Sequence, residues 1–535
     1  MKKMFALAFA SLMIVSCGKK DIDDDETNID TVDPVGEVTD DTDTSPTRVT
    51  SVTLINDYIW EGLNQYYYWQ DQVPSLSDDQ TTDVTSYLGL LNSEDTPEDF
   101  FYSLNHEDDR FSWIQDDYEE LENQLDGISA NNGMNFIIYR RNSENDNLIG
   151  VVTYVLPDSN AATQGVQRGD LFTSVNGENL TIANYRGLLY GEAMTYTIDL
   201  VNYDPVSDSS SPRNISITLT KEENFQENPV HKQMVIDVND RRVGYLMYNK
   251  FVGEVDNNDD GNVDEDFNQT LIDIFSGFQN LNIQDLVLDL RYNGGGSVRT
   301  CTYLASMITG QFTGEIFAQQ RWNTKLMNYI NAVNSDSDSS NDFNIDNRFV
   351  SSATNNRTLP GLNLNRIYVI TSNRSASASE LLINGLASHI NVIQVGTTTY
   401  GKNVGSITLY DYVDNQAPFD SINQDHTYAM QPIVLKIANS AGYADYANGI
   451  PPADAATTMP NLTYIEARES IANYGILGDP YEPLLATALN HITGNSDRPS
   501  ELLPMLDEAK LPAKITDQYR LNIDDFPKIP LKKLR

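Results

Sequence analysis

Residues 373–382 read NRSASASELL, with Ser375, Ser377 and Ser379 on alternate positions and Glu380 directly after them. Small residues on alternate positions make a poor packing face, which raises the question of whether one of these serines is a nucleophile. A serine hydroxyl needs a base to remove its proton. The five histidines, His106, His231, His389, His426 and His491, stand in no recognisable catalytic context, and a Gly-x-Ser-x-Gly elbow is absent. His389 falls at the C-terminal end of the helix that the serine run would open, a position the helix dipole favours. A lysine can replace histidine where burial disfavours its charged form and leaves an amine to accept the proton. The only Ser-x-x-Lys spacing, Ser16 to Lys19, straddles a processing site. Lys402 lies between Gly401 and Asn403 in NVIQVGTTTYGKNVGS, after a strand and a polar turn, where it could reach back over that turn. Residue chemistry alone leaves this open. SASE at 377–380 reads equally as a capping box, Ser377 as N-cap and Glu380 at N3. The two roles are compatible, because free N–H groups at a helix N-terminus also favour an oxyanion.

Two further stretches compete for chemistry. DLVLDLRYNGGGSV carries Arg291 and Asn293 from a strand into a glycine turn, where backbone N–H groups can approach a ligand without side chains intervening. Its spacing fits neither phosphate-binding glycine motif. DNNDDGNVDEDF, Asp256 to Phe267, places acidic and amide residues as a calcium loop would. Position 12 is Phe267 where the bidentate Glu belongs, so calcium is not expected as a partner. No cofactor or metal is called for.

The surrounding elements must position these residues. The chain opens MKKMFALAFASLMIVSC, a secretory signal too short to span a bilayer as a helix, and IVSC resembles the lipobox of bacterial lipoproteins. Residues 1–17 are therefore expected to be a signal peptide, with Cys17 acylated and holding the protein to a membrane. Residues 18–48 hold eleven acidic and three basic residues and no aromatic, which makes them a solvated tether. The run KKDIDDDE resembles export signals of Bacteroidetes-type lipoproteins. The expected location is the cell envelope, as an outer-membrane lipoprotein facing the periplasm or the cell surface. Residues 49–125 read as helical, with Ile55, Ile59, Gly62, Tyr66 and Trp69 on one face and TPEDFFYSL opening a helix. Residues 127–222 turn to strands and tight turns. From 230 to 495, strands such as RVGYLMY, DLVLDLRY, RIYVITS, NVIQV and PIVLKIA alternate with helices such as ASELLINGLASH, an α/β or mixed α+β pattern around a buried sheet. Residues 496–535 read as a Pro-rich tail with one short helix. The balance of 35 basic against 77 acidic residues, a net charge of −42, excludes nucleic acid as a partner. The other cysteine, Cys301, reads as a small buried hydrophobe.

NRSASASELLINGLASHINVIQVGTTTYGKNVGS resembles the core of the C-terminal processing, or tail-specific, serine peptidases. That resemblance implies a Ser/Lys dyad in which Ser377, the middle serine, is the nucleophile and Lys402 is the base. Their separation, 402 − 377 = 25 residues, matches the family's spacing. It implies oxyanion donors at Gly295, with Gly296 next to it, and at Ala378. A lysine-orienting Gln is usual four residues after the lysine; Ser406 stands there. The stretches NNGMNFIIYRR and SNAATQGVQRGDLFTSVNGENL resemble a PDZ domain, with Gly133, Met134, Asn135 and Phe136 as the loop that would bind a chain-terminal carboxylate. The expected architecture is a mixed α/β peptidase core at 230–495, an inserted PDZ-like β-rich domain at 127–222 and an N-terminal helical region. The expected function is membrane-tethered serine endopeptidase, acting on extracytoplasmic proteins with accessible C-termini. The competing expectation is a non-catalytic lipoprotein that binds peptide or lipid on the same scaffold.

Overall fold

A computed structural model describes residues 48–141, 145–205, 207–255, 263–335, 343–412, 422–471, 473–494 and 520–522. Cys17, the acidic tether and the acidic stretch at 256–262 lie outside the described residues. Among those described, no helix is long and apolar enough to cross a membrane.

Helix α1 (Ser51–Tyr66) starts at Thr50, whose hydroxyl accepts from Thr53 N–H at 3.2 Å. The expected apolar face is there, but the helix is buried on nearly every side. Its polar residues are paired instead of solvated: Asn56 Nδ2 donates to Leu91 O at 2.7 Å and the Tyr87 hydroxyl to Asp57 Oδ1 at 2.7 Å. Buried polar groups persist only when bonded in this way. Trp69 lies beyond the helix end and stacks on the His106 ring, centroids 5.6 Å apart. Thr96 caps the helix that opens with Pro97, as TPEDFF predicts. Tyr58, Ile59 and Trp60 pack into the same apolar core as the helices of the C-terminal region. The N-terminal helices are thus part of that core rather than a separate globule.

The β-rich domain is an antiparallel sheet of β1 (Met134–Arg140), β2 (Leu148–Val155), β3 (Leu171–Val175), β4 (Thr195–Asp204) and β5 (Ser209–Thr220), joined in sequence order. It closes on its own core of Ile138, Val152, Phe172, Ile198 and Leu219.

The C-terminal region is built on β6 (Val230–Val238), β7 (Arg241–Tyr248), β8 (Asp285–Asp289), and further along the chain on β9 (Gly295–Ser297), β10 (Ile316–Trp322), β11 (Asp346–Arg348), β12 (Arg366–Thr371), β13 (Asn391–Gly396), β14 (Val404–Ser406), β15 (Ile433–Asn439), β16 (Leu462–Glu466) and β17 (Arg520–Asn522). The main sheet runs β6-β7-β8-β12-β13-β16, parallel from β7 onward. Side chains alternate between its two faces. Leu286, Leu288, Ile367 and Val369 enter the core under the helices Phe267–Asn280 and Val298–Thr309, while Val287, Tyr368 and Ile370 pack against the helix Pro483–Thr493. Burial on both faces is what makes these strands read as continuous apolar runs. PIVLKIA, in contrast, forms β15 of a second sheet, β9-β17-β14-β15-β10-β11.

Helix α2 (Ala378–Ala387) leaves β12 through the serine run and is pressed close against β10. A Cβ on Gly385 would lie 2.3 Å from Cε2 of the buried Phe317 ring, so only glycine lets the helix approach this near. Gly385→Ala is expected to destabilise the protein by about 1–3 kcal/mol through overpacking, measurable by urea unfolding.

At the C-terminal end of β8, a buried ion network joins the β-rich domain to the main sheet. Arg291 is fully buried; it donates to Asp289 at 2.9 and 2.7 Å, to Glu482 at 2.6 and 3.0 Å and to Glu469 at 3.0 Å. Arg168, from the loop between β2 and β3, donates to the same Glu469 oxygen, and to the Tyr292 hydroxyl at 2.7 Å. Burial alone would raise the Glu469 carboxyl, but Arg168, Arg291 and the Tyr292 hydroxyl overcome it and hold the group at about 2. A carboxyl held below its unfolded value, about 4.3, contributes stability above that pH and loses it as pH falls toward 2. Glu469→Gln should therefore destabilise the protein strongly at pH 6, with the deficit shrinking as pH drops from about 4 toward 2. Denaturant midpoints of both proteins across that range provide the check.

Candidate active site

The three serines of SASAS have different fates. Ser375 Oγ donates to Leu290 O at 2.8 Å and Ser379 Oγ to Asn293 O at 2.9 Å, tying both ends of the run to the turn that follows β8. Ser377 Oγ, also fully buried, has no hydrogen-bond partner. Its backbone sits at φ 60°, ψ −113°, outside the conformations that a residue with a Cβ ordinarily adopts. Of the expected capping box, the Glu380 half is made: Ser377 N–H donates to Glu380 Oε2 at 2.8 Å. The hydroxyl is left for other work.

Glu380 joins the two halves of the predicted dyad. Its Oε2 also accepts from Lys402 N–H at 2.8 Å, and Oε1 accepts from Gly401 N–H at 2.7 Å and from the Thr399 hydroxyl at 2.5 Å. Four donors on a fully buried carboxylate hold the serine run and the lysine turn, 25 residues apart in sequence (402 − 377), against one group. Burial raises the Glu380 carboxyl above its ordinary value, and the hydrogen bonds from Thr399, Lys402, Ser377 and Gly401 oppose that rise. Lys402 is itself buried, with Nζ 5.0 Å from the centre of the Phe111 ring. Arg110, next to that ring, donates to Gly401 O at 2.9 Å and Ala447 O at 3.1 Å, so the N-terminal region clamps the lysine turn. Gly401 at φ 94° has no room for a Cβ, which would lie 2.3 Å from Ala447 O. Ser406, four residues on, is buried in β14 and paired there with Ile433 of β15.

The glycine turn lies alongside. Asn293 bridges it: Nδ2 donates to Tyr248 O at 2.8 Å, Oδ1 accepts Gly295 N–H at 2.8 Å, and its carbonyl accepts Ala376 N–H at 3.1 Å. The Gly295 amide is thereby engaged within the turn. Phe251 N–H donates to Gly295 O and Ser297 N–H to Phe251 O, both at 2.8 Å, so alternation along β9 turns the Gly296 amide to the opposite edge. Gly296 is held at φ 133° with Phe251 O against its Cα, where a Cβ would sit 2.1 Å away. Ala378 begins α2, among the N–H groups that a helix leaves without intrahelical partners. Cys301 is buried directly beneath, its Sγ 3.3 Å from Ala378 O.

A cavity of about 910 Å³ has Gly295, Gly296, Tyr292 and Arg374 on one wall and Met134, Asn135 and Phe136 on another. Gly133, at φ 84°, stands just before that second wall. The amides of Gly133 and Met134 donate to Asn131 Oδ1 at 2.8 Å and Asn132 Oδ1 at 3.0 Å, and Asn135 Nδ2 donates to the Tyr154 hydroxyl at 2.8 Å. Two of the amides expected to cradle a carboxylate are therefore engaged by side chains. The histidines sit elsewhere: His389 Nε2 lies 2.9 Å from Ile316 O among Phe312 and Phe349, and His426 Nε2 lies 3.0 Å from Asp411. Among the described residues, no group of three or more His, Cys, Asp or Glu is placed to hold a metal. The structure brings the serine run and the lysine turn predicted from sequence onto one carboxylate, with the glycine turn bonded to the serine run. Glu380 as the common acceptor of the serine run and the lysine turn was not foreseen in the sequence, although an N3 glutamate in a capping box was the available signal.

Comparison with known proteins agrees with this layout. Residues 242–416 match the peptidase family S41 domain, residues 54–113 the peptidase S41 N-terminal domain, and residues 151–198 the PDZ domain. No curated protein matches the chain. Among solved structures, one described as an S41 protease from Bacteroides fragilis is similar over 82% of this chain and 98% of its own, at 26% identity and a TM-score of 0.59. The photosystem II D1 C-terminal processing protease is similar over 78% and 94%, at 16% identity and a TM-score of 0.44. Mature CPAF is similar over 82% and 96%, at 12% identity and a TM-score of 0.40. The chain thus carries a peptidase family S41 domain at residues 242–416, preceded by a peptidase S41 N-terminal domain and a PDZ domain.

Proposed function

We propose that the protein is a serine endopeptidase in which Ser377 is the nucleophile and Lys402 the general base. One observation carries this reading. Of the three alternate serines, only Ser377 keeps an unbonded hydroxyl, and its amide shares one carboxylate oxygen with the amide of Lys402. Ser377 Oγ attacks the peptide carbonyl as Lys402, in its neutral form, takes the hydroxyl proton. The developing oxyanion is met by the N–H groups of Gly296 and Ala378, at the positive end of α2. Lys402 then protonates the departing amine, and water hydrolyses the acyl-enzyme by the same route in reverse. Ser406, in the place of the usual Gln, can hydrogen-bond a lysine amine through its hydroxyl.

The substrates of this reading are extracytoplasmic proteins with accessible C-termini, engaged by the PDZ loop at Gly133–Phe136, whose wall faces the glycine turn across one cavity. The placement is the cell envelope, through acylated Cys17 and the acidic tether. Expression with labelled palmitate, comparing the natural chain with Cys17→Ala, tests the anchor; loss of label and release from membranes is the expected result.

Ser377→Ala and Lys402→Ala should each abolish cleavage of unfolded casein by the purified ectodomain while the thermal unfolding transition survives. Retained cleavage in either variant would refute the dyad, and no cleavage by the natural protein would favour a binding function. Glu380→Gln keeps the shape but removes the charge from four donors. Hydrogen bonds to a charged group contribute about 1.5–3 kcal/mol each, so a misaligned dyad should lower kcat about 10- to 100-fold with little change in KM.

A further inference from the structure

Part of the chain's own C-terminal segment lies between the strand of the glycine turn and the strand that follows Lys402. β17 (Arg520–Asn522) pairs in parallel with β9, in the register Gly295 with Arg520, Gly296 with Leu521 and Ser297 with Asn522. On its other side it pairs in parallel with β14, Ser406 opposite Asn522. β9 is the glycine turn, and β14 begins two residues after Lys402. The inner edge of β9 is already occupied by Phe251, and that of β14 by β15. The remaining edges of both strands face each other across a gap one strand wide, and β17 fills it. The Gly296 N–H, turned to that edge, faces the carbonyl of Arg520, and the Gly296 carbonyl faces the N–H of Asn522. An extended peptide bonded by its backbone between two strand edges, with one carbonyl on an oxyanion donor, has the posture of a peptidase substrate. Ser377 is 0% exposed and Lys402 3% exposed with the strand in place.

Chain length permits this placement within one molecule. The helix Pro483–Thr493 is followed by Gly494, and 25 residues (495–519) then lead to Arg520. At about 3.3 Å per extended residue they reach roughly 80 Å, several times the radius of gyration, about 22 Å, expected for a folded body of about 450 residues. A tether of that kind gives an effective concentration on the order of millimolar, enough to compete with substrates present at micromolar levels.

We propose that the strand Arg520–Asn522 is the resident occupant of the substrate groove, an intramolecular competitor that must leave before a protein substrate can enter. The inference rests on reading the groove as the peptidase site, and its test is made by binding so that it does not depend on turnover. A fluorescent peptide of residues 515–527 is titrated, by anisotropy, into three proteins carrying Ser377→Ala: the full chain, the full chain with Asn522→Pro, and a chain ending at residue 511. Proline removes the N–H that faces Gly296 O and cannot occupy a central strand. Circular dichroism melts establish that each protein is folded. The expected result is binding by the Asn522→Pro and shortened proteins, and binding at least about tenfold weaker by the unaltered tail, as a millimolar internal competitor requires. Equal affinity for all three folded proteins, or no binding by any, overturns the proposal.

Discussion

The Glu380 carboxylate is the constraint on which the rest of this site depends. A buried charge is costly unless hydrogen bonds replace its water. Four donors do so here, and they come from the serine run and from the lysine turn. Neither segment could move far without stranding a charge in the interior. The helix that carries Glu380 is in turn held against β10 by a glycine contact, so the acceptor is placed by packing and the donors are placed by the acceptor.

The same logic explains why one serine of three stands apart. Ser375 and Ser379 are bonded to the turn after β8, and Ser377, between them, is forced to positive φ. Such strain is held only where surrounding bonds over-determine the backbone. The bonds to Leu290 and Asn293 are the ones that do so. They also lock the serine run to the glycine turn, so that proposed nucleophile and proposed oxyanion donor are parts of one hydrogen-bonded unit.

Beyond this unit, each of the other regions contributes a contact at a particular point. The N-terminal region brings Phe111 over Lys402 and Arg110 onto Gly401. The PDZ domain reaches Glu469 through Arg168, and Glu469 is bonded to Arg291, two residues before Asn293. The tail adds a strand along β9 and β14. The site is therefore assembled from four distant parts of the chain.

The sequence by itself determined the parts whose signal is local. Continuous apolar runs specified strands buried on both faces; Thr96 followed by Pro97 specified a helix start; the serine run, Lys402 and the glycine turn stood out as candidates by residue type and spacing. SASE showed that Glu380 would bond the Ser377 amide, because that bond spans three residues of one helix. It could not show that Gly401 and Lys402 donate to the same carboxylate, since that contact requires β13 to return the chain to the head of α2. Nor could it show that α1 is buried all round, that the Gly295 amide is taken by Asn293, or that three residues of a polar tail pair with β9 and β14. Those outcomes are set by which segments meet in space, and hydrogen bonds between segments far apart in sequence leave no periodic trace along it.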